Sequence, residues 1–222
     1  MTQRERADTG RAEGAIDGHP IFAAAYDRLG GIGEDFLREH RRYLARDLHG
    51  SVLDLGAGTG DMFPVLARTA ESSGELSIHG IEPDPHMEKR AERAAREEAL
   101  DIDLRLARAE SLPYPDESFD TVIASLVFCT IADPERAFEE VHRVLRPGGE
   151  LRLLEHVRAS GFLGRAQDFL APAWKVVGAG CHLNRNSEAL LAAARLEMTE
   201  METIRAPPPA TPMIRGTAVK RS

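Results

Sequence analysis

The chain is poor in cysteine, in aromatic residues and in net positive charge, and each shortage removes a class of protein. Its two cysteines, Cys129 and Cys181, lie far apart and form no Cys-x-x-Cys, so their spacing indicates neither a disulfide framework nor a zinc knuckle. No metal site is expected from it, and a reducing compartment with two small buried thiols fits that usage. With 28 basic against 36 acidic side chains, the net charge of -8 offers no general attraction to nucleic-acid phosphates or anionic lipid surfaces. Nucleic acid is therefore not an expected partner. Long apolar runs are missing as well: Thr121 to Ile131 reaches about half of the roughly 20 residues that cross a bilayer, so no transmembrane segment is expected. The opening Met1-Thr2-Gln3-Arg4-Glu5-Arg6-Ala7-Asp8 lacks the apolar core of a signal peptide, and the expected location is cytoplasmic.

What is present is an ordinary globular balance. A length of 222 residues with 42% hydrophobic and 29% charged side chains favours one α/β domain around one sizeable core. Residues 1–18 are polar and without periodicity, which predicts a tail, and the domain is expected over 19–222. From Ile21 to Leu48 apolar residues recur at helical spacing (Phe22, Tyr26, Leu29, then Phe36, Leu37, Tyr43, Leu44), broken by Gly30-Gly31. The period then changes. Strands are predicted over Ser51 to Leu55, Leu76 to Glu82, Asp103 to Ala107, Phe119 to Leu126 and Glu150 to Val157. Helices are predicted between them over Asp61 to Ala70, Pro85 to Glu98 and Pro134 to Leu145. Asp133 suits an N-cap before Pro134, and Pro147-Gly148-Gly149 is expected to stop that helix before the next strand.

This βαβ alternation implies a Rossmann-like parallel sheet with helices on both faces. Residues 158–186 break the pattern and read as an insertion or lid, followed by a helix from Ser187 to Ala194. Two more strands are expected, Met198 to Arg205 and Ile214 to Lys220. The proline-rich linker between them is too short for a crossover helix, so they should pair antiparallel.

Three elements carry chemistry. Val52-Leu53-Asp54-Leu55 runs into Gly56-Ala57-Gly58-Thr59-Gly60, a strand ending in a glycine turn where missing Cβ atoms let a ligand approach the backbone. The dinucleotide spacing Gly-x-Gly-x-x-Gly would require glycine at 61, where the chain has Asp61. Ile81-Glu82-Pro83-Asp84 then places a carboxylate at the end of the next strand, where ribose hydroxyls can be bound; a solvent-facing acid explains it as well. The third element runs from Ala109-Glu110-Ser111-Leu112-Pro113 to Phe119-Asp120, ahead of Thr121 to Leu126.

Together with Val144-Leu145-Arg146-Pro147-Gly148-Gly149, these motifs resemble the class I S-adenosylmethionine (SAM) methyltransferases, in the branch that includes quinone and lipid methylating enzymes. The resemblance spans about Phe22 to Val219 and implies a seven-stranded sheet, mostly parallel, with an antiparallel last strand. It also implies S-adenosyl-L-methionine as cofactor. Asp54 with Gly56, Ala57, Gly58 and Gly60 would hold its methionine end, Glu82 the ribose, Ala109 and Glu110 the adenine, and Ser125 and Leu126 the floor near the sulfonium. Arg108 departs from the pattern, since many relatives carry Asp or Asn there; adenine recognition would then rest on backbone groups or on Glu110.

Ser125 to Thr130, Leu154-Glu155-His156-Val157, Ala173-Trp174 and Gly180-Cys181-His182-Leu183-Asn184-Arg185 are similar to the methyltransferase-like thiol S-methyltransferases of animal membranes. Their hydrophobic N-terminal anchor has no counterpart here, so membrane attachment is not implied. The implied partner is a small, rather apolar acceptor, a thiol being favoured over a quinol or an ethanolamine lipid. A thiol with pKa near 8.5 is partly ionised at neutral pH and needs little help, whereas an ammonium must first lose a proton. Glu155, His156 and His182 are the candidates for that help, set against local bracing roles. Trp174, Phe169, Leu163, Leu170 and Val176 read either as an apolar acceptor pocket under the lid or as plain core. A SAM-binding regulatory module without turnover and, more remotely, an NAD-dependent oxidoreductase are the readings of other classes.

Overall fold

A computed structural model describes residues 34–177, 180–185, 187–206 and 211–221. The expected tail over 1–18, the first helix around Phe22 and Leu29 with Tyr26, and the linker residues 207–210 lie outside the described residues.

The described chain opens with helix α1 (Glu34–Leu44) and then alternates: β1 (Gly50–Leu55), α2 (Phe63–Ser73), β2 (Leu76–Glu82), α3 (Pro85–Glu97), β3 (Asp103–Leu106), β4 (Phe119–Ser125), α4 (Pro134–Val144) and β5 (Leu145–His156). It continues with α5 (Gly161–Val177), α6 (Ser187–Ala193), β6 (Leu196–Ile204) and β7 (Met213–Lys220). The seven strands form one sheet in the order β3-β2-β1-β4-β5-β7-β6. The pairs β1–β2, β2–β3, β1–β4 and β4–β5 are parallel, while β7 runs antiparallel to both β5 and β6. The expected Rossmann-like sheet with its reversed last strand is thus the observed one. Strand order reverses between β1 and β4, so a crevice opens beyond the carboxyl end of β1, the place where open α/β sheets take ligands.

Both faces of the sheet are covered, as the near-continuous apolar runs of a parallel sheet require. Leu53, Leu55, Val122, Leu151 and Leu153 pack on one face with Phe138 and Val141 of α4. Val52, Ile78, Ile123 and Leu154 pack on the other with Leu44, Phe63, Leu66 and Ala91 of α1 to α3.

Local chemistry sets the element starts. Asp84 caps α3 by accepting from the His86 amide at 2.7 Å, and Asp133 caps α4 by accepting from the Arg136 amide at 3.0 Å, each followed by proline. Most boundaries shift by one to three residues, and two of the shifts have a visible cause. Helix α2 starts at Phe63 rather than Asp61, because the Asp61 carboxylate accepts from Arg41 Nη2 at 2.9 Å and from Thr59 Oγ1 at 3.0 Å within the preceding turn. The Pro147-Gly148-Gly149 turn does not precede β5 but lies inside it: Phe119 pairs with Leu145 and Thr121 with Glu150, so the four residues between form a bulge. Arg146 pins that bulge to Asp120, whose carboxylate also accepts from the Ser51 amide at 2.8 Å.

The insertion, expected only as an irregular segment, contains the 17-residue helix α5 with Pro172 inside it. Gln167, 5% exposed, ties this helix down. Its Oε1 accepts from the Ala159 amide at 2.7 Å, and its Nε2 donates to the carbonyls of Leu183 (3.3 Å) and Thr211 (3.2 Å). No helix of the described residues is long and apolar enough to cross a membrane.

Candidate active site

The turn after β1 is built by its glycines. Gly56, Gly58 and Gly60 have φ of 71°, 59° and 95°, a region L-residues avoid. A Cβ on Gly60 would meet Ala94 Cβ and Phe63 Cδ2 at 2.8 Å, and one on Gly56 would meet Val127 Cγ1 at 2.9 Å. At Gly58 a Cβ would find only the Gly56 carbonyl, 4.0 Å away, so this glycine presents bare backbone to open space.

Two carboxylates flank the turn. Asp54, at the end of β1, is 2% exposed and its Oδ2 is buried without a hydrogen-bond partner. Burial pushes its carboxyl up to about 7, against the pull of Arg41. Glu82, at the end of β2, accepts from the Gly58 amide through Oε2 and from the Asp84 amide through Oε1, both at 2.9 Å. Burial raises it to about 7 as well, and the two amides oppose the rise. An unpartnered buried carboxylate oxygen, a bare glycine face and a second carboxylate at the next strand's end fit the polar groups of S-adenosylmethionine: an ammonium that donates, a carboxylate that accepts and a diol that donates.

Beyond β3, Ala109 is buried and Glu110 is half-buried, its carboxylate 3.4 Å from Arg108 Nη2. The loop is fixed from α4 by residues that sequence reading did not single out. Glu140 accepts from the Leu112 amide at 2.9 Å, and Arg143 donates to the Tyr114 carbonyl at 2.8 Å and to Glu140 at 2.7 Å. An i, i+3 acid–base pair on an amphipathic helix was the available signal, but it looks the same when it merely faces solvent.

At the end of β4, Ser125 and Leu126 are half-buried, and Leu126 adopts φ of 62°, a strained value for leucine. The chain is held there by Glu155. This side chain is fully buried; Oε1 accepts from the amides of Val127 (2.7 Å) and Phe128 (2.8 Å), and Oε2 from that of Cys129 (3.2 Å). Burial raises its carboxyl to about 7 although the three amides pull it down.

His156 Nδ1 lies 3.6 Å from Cys181 Sγ. His182 donates its amide to the Cys129 carbonyl at 2.7 Å, and its Nδ1 lies 3.3 Å from Arg185 Nη2. Arg185 also reaches the Phe128 carbonyl. The fold therefore brings Glu155, His156 and His182 to the sheet edge that also carries Asp54 and Glu82, around the segment 127–129. Cys129 and Cys181 are buried and meet there. The neighbouring Cys129 and His156 hold the Cys181 thiol below its usual range, while Cys129 is raised by Cys181 and by burial.

The apolar residues of the insertion behave differently from both expectations. Trp174 packs against Cys129, Cys181 and Leu183, but Phe169 is 85% exposed, and Leu163 and Leu170 are about half exposed. They form neither core nor an enclosed pocket; the positions that α5 buries are Gly164 and Gln167. The Val176 side chain lies outside the described residues.

The Methyltransferase domain family matches residues 53–153, and the chain belongs to the class I SAM-dependent methyltransferases, with S-adenosylmethionine as cofactor. Within that family it is similar to human Thiol S-methyltransferase TMT1B, at 33% identity covering 77% of this chain and 70% of that protein. It is also similar to Phosphatidylethanolamine N-methyltransferase of Cereibacter sphaeroides, at 34% identity covering 68% and 72%. A SAM-dependent methyltransferase from Thermotoga maritima, titled a possible histamine N-methyltransferase, has the same fold, with a TM-score of 0.68 and 24% identity over 91% of this chain and 97% of that one.

Proposed function

We propose that this methyltransferase acts on a small thiol. The observation that carries the reading is the state of Glu155: its two oxygens are engaged by three backbone amides, so this carboxylate is a positioning residue rather than a proton acceptor. With this carboxylate engaged, an acceptor that ionises readily is favoured, which a thiol does and an ammonium does not. The similarity to proteins named thiol S-methyltransferases supports the same choice.

In this reading Asp54 takes the ammonium of the methionine end, and the turn from Gly56 to Gly60 its carboxylate. Glu82 takes the ribose hydroxyls, Ala109 and Glu110 line the adenine, and Ser125 and Leu126 form the floor below the sulfonium. The bound cofactor supplies an electrophilic methyl group. The chain's own contribution is alignment and exclusion of water, a source of roughly 7–11 kcal/mol in favourable systems. His182 is the side chain left to accept a proton from an un-ionised acceptor, since His156 Nδ1 lies against the Cys181 thiol. Residues 158–186 act as the lid, tied to the edge by Gln167 and Arg185.

The test is methyl transfer from methyl-labelled SAM to a panel of small thiols, a quinol and phosphatidylethanolamine vesicles. Transfer to thiols with formation of S-adenosylhomocysteine is expected. Transfer confined to the ethanolamine lipid, in line with the similarity to the lipid enzyme, would replace this reading.

A further inference from the structure

The fold brings together three side chains that the sequence keeps apart: Cys129 after β4, His156 at the end of β5 and Cys181 after α5. Their ligating atoms all lie within 4.8 Å of one another, and Cys181 Sγ is 3.6 Å from His156 Nδ1. A tetrahedral zinc ion, with Zn–S of about 2.3 Å and Zn–N of about 2.0–2.1 Å, sets a sulfur and a nitrogen ligand about 3.6 Å apart and two sulfurs about 3.8 Å apart. A disulfide would use only the cysteines and leave an imidazole at coordination distance without a task.

We propose that Cys129, His156 and Cys181 form a three-ligand site for a zinc-type divalent cation, whose open fourth position receives the sulfur of the acceptor. Two cysteines and one histidine with a vacant position are the donor set of catalytic rather than structural zinc. The second half of the proposal rests on the thiol reading above.

The surroundings fit. Two thiolates balance the dication, and the nearby Glu155 carboxylate is balanced by the half-buried Arg185 guanidinium, which bonds to the Phe128 carbonyl. Val127, whose side chain closes against Gly56, and Cys129 belong to the one segment that Glu155 holds by its amides. The cofactor turn and the cluster are thereby joined through a rigid piece of chain. On coordination, the acceptor S–H bond breaks, its proton goes to solvent and the thiolate ligates the metal. The sulfur lone pair then forms the new C–S bond, and the methyl–sulfonium bond breaks with its electron pair left on S-adenosylhomocysteine. The thioether, a poorer ligand than a thiolate, leaves.

The test uses the full chain purified with a reductant and without chelator. Metal analysis is expected to find about one zinc per chain, and the Co2+-loaded protein to show thiolate-to-cobalt charge transfer. Cys181→Ser and His156→Ala are each expected to weaken Zn2+ binding by more than roughly 100-fold while SAM binding, measured by calorimetry, stays unchanged and certifies the fold. A small thiol added to the Co2+ form is expected to shift the charge-transfer band. Wild-type protein that binds SAM but holds no more metal than Cys181→Ser overturns the site, as does a Cys129–Cys181 disulfide that persists in reductant. Thiols that are methylated yet leave the cobalt spectrum unchanged overturn the fourth-position role. A bound metal with no methylation of any thiol sinks the acceptor reading and leaves the metal site standing.

Discussion

Glu82 accepts a hydrogen bond from the Gly58 amide at 2.9 Å, so the carboxylate that ends one strand holds the glycine turn that ends its neighbour. The two elements read separately from sequence are one structure. Glu82→Ala therefore removes both the proposed ribose ligand and a brace of the turn. With a charge-assisted hydrogen bond worth about 1.5–3 kcal/mol, SAM is expected to bind roughly 10- to 100-fold more weakly, as read by titration calorimetry. An unchanged dissociation constant would remove Glu82 from the site.

The glycines of the turn are expected to separate ligand space from packing. Gly58→Ala adds a Cβ to open space at positive φ, costing about 1–2 kcal/mol of stability but a larger share of SAM affinity. Gly60→Ala drives a Cβ into Phe63 and Ala94 and adds overpacking of about 1–3 kcal/mol to the same backbone cost. Paired measurements of melting temperature and SAM affinity check the contrast. Equal losses of both in the two variants would contradict it.

Asp54 and Glu82 define a pH dependence. Burial raises both carboxyls from the ordinary carboxylate range to about 7, so the folded cofactor-free chain holds protons that the unfolded chain has lost. Their contribution to stability is full below about pH 4 and is lost as pH rises through 7. SAM, which in the proposed site meets the ionised forms, is expected to bind more tightly as pH rises over the same window. Chemical denaturation without cofactor and calorimetry with it, from pH 5.5 to 8, check the two opposite slopes. Parallel slopes would show that these groups do not meet the cofactor.

Gln167→Ala tests the insertion. The buried amide ties α5 to the Ala159 amide and to the Leu183 and Thr211 carbonyls, and its loss leaves these groups unpaired at a cost of about 1–3 kcal/mol. KM for the acceptor is expected to rise several-fold with SAM affinity unchanged. A change in SAM affinity alone would deny the segment a lid's role.

Much of this architecture was legible in the sequence, and the reasons are local. The β-strands announce themselves because a buried parallel strand is a short apolar run, and Asp133-Pro134 and Asp84-Pro85 mark helix starts by capping chemistry that acts within three residues. The turn at Gly56 to Gly60 was readable because its backbone demands glycine. What stayed hidden depends on contacts between distant segments. Asp61 fails to start α2 because Arg41 takes its carboxylate, and β5 begins early because Arg146 reaches Asp120 across a bulge. Glu155 carries no sequence mark that separates a base from a brace; only the amides of Val127 to Cys129 decide it. The two cysteines read as inert because spacing rules see ligands that are neighbours in sequence, whereas these meet through the ends of β4 and the insertion.

Methyl transfer to a thiol tests the central claim most directly. The purified full chain is given methyl-labelled SAM and a small apolar thiol, and both S-methylated product and S-adenosylhomocysteine are quantified by mass spectrometry. The expected result is equal amounts of the two, abolished by Glu82→Ala at limiting SAM. SAM binding with no methyl transfer to any thiol, or transfer to a quinol or an ethanolamine lipid instead, would contradict it.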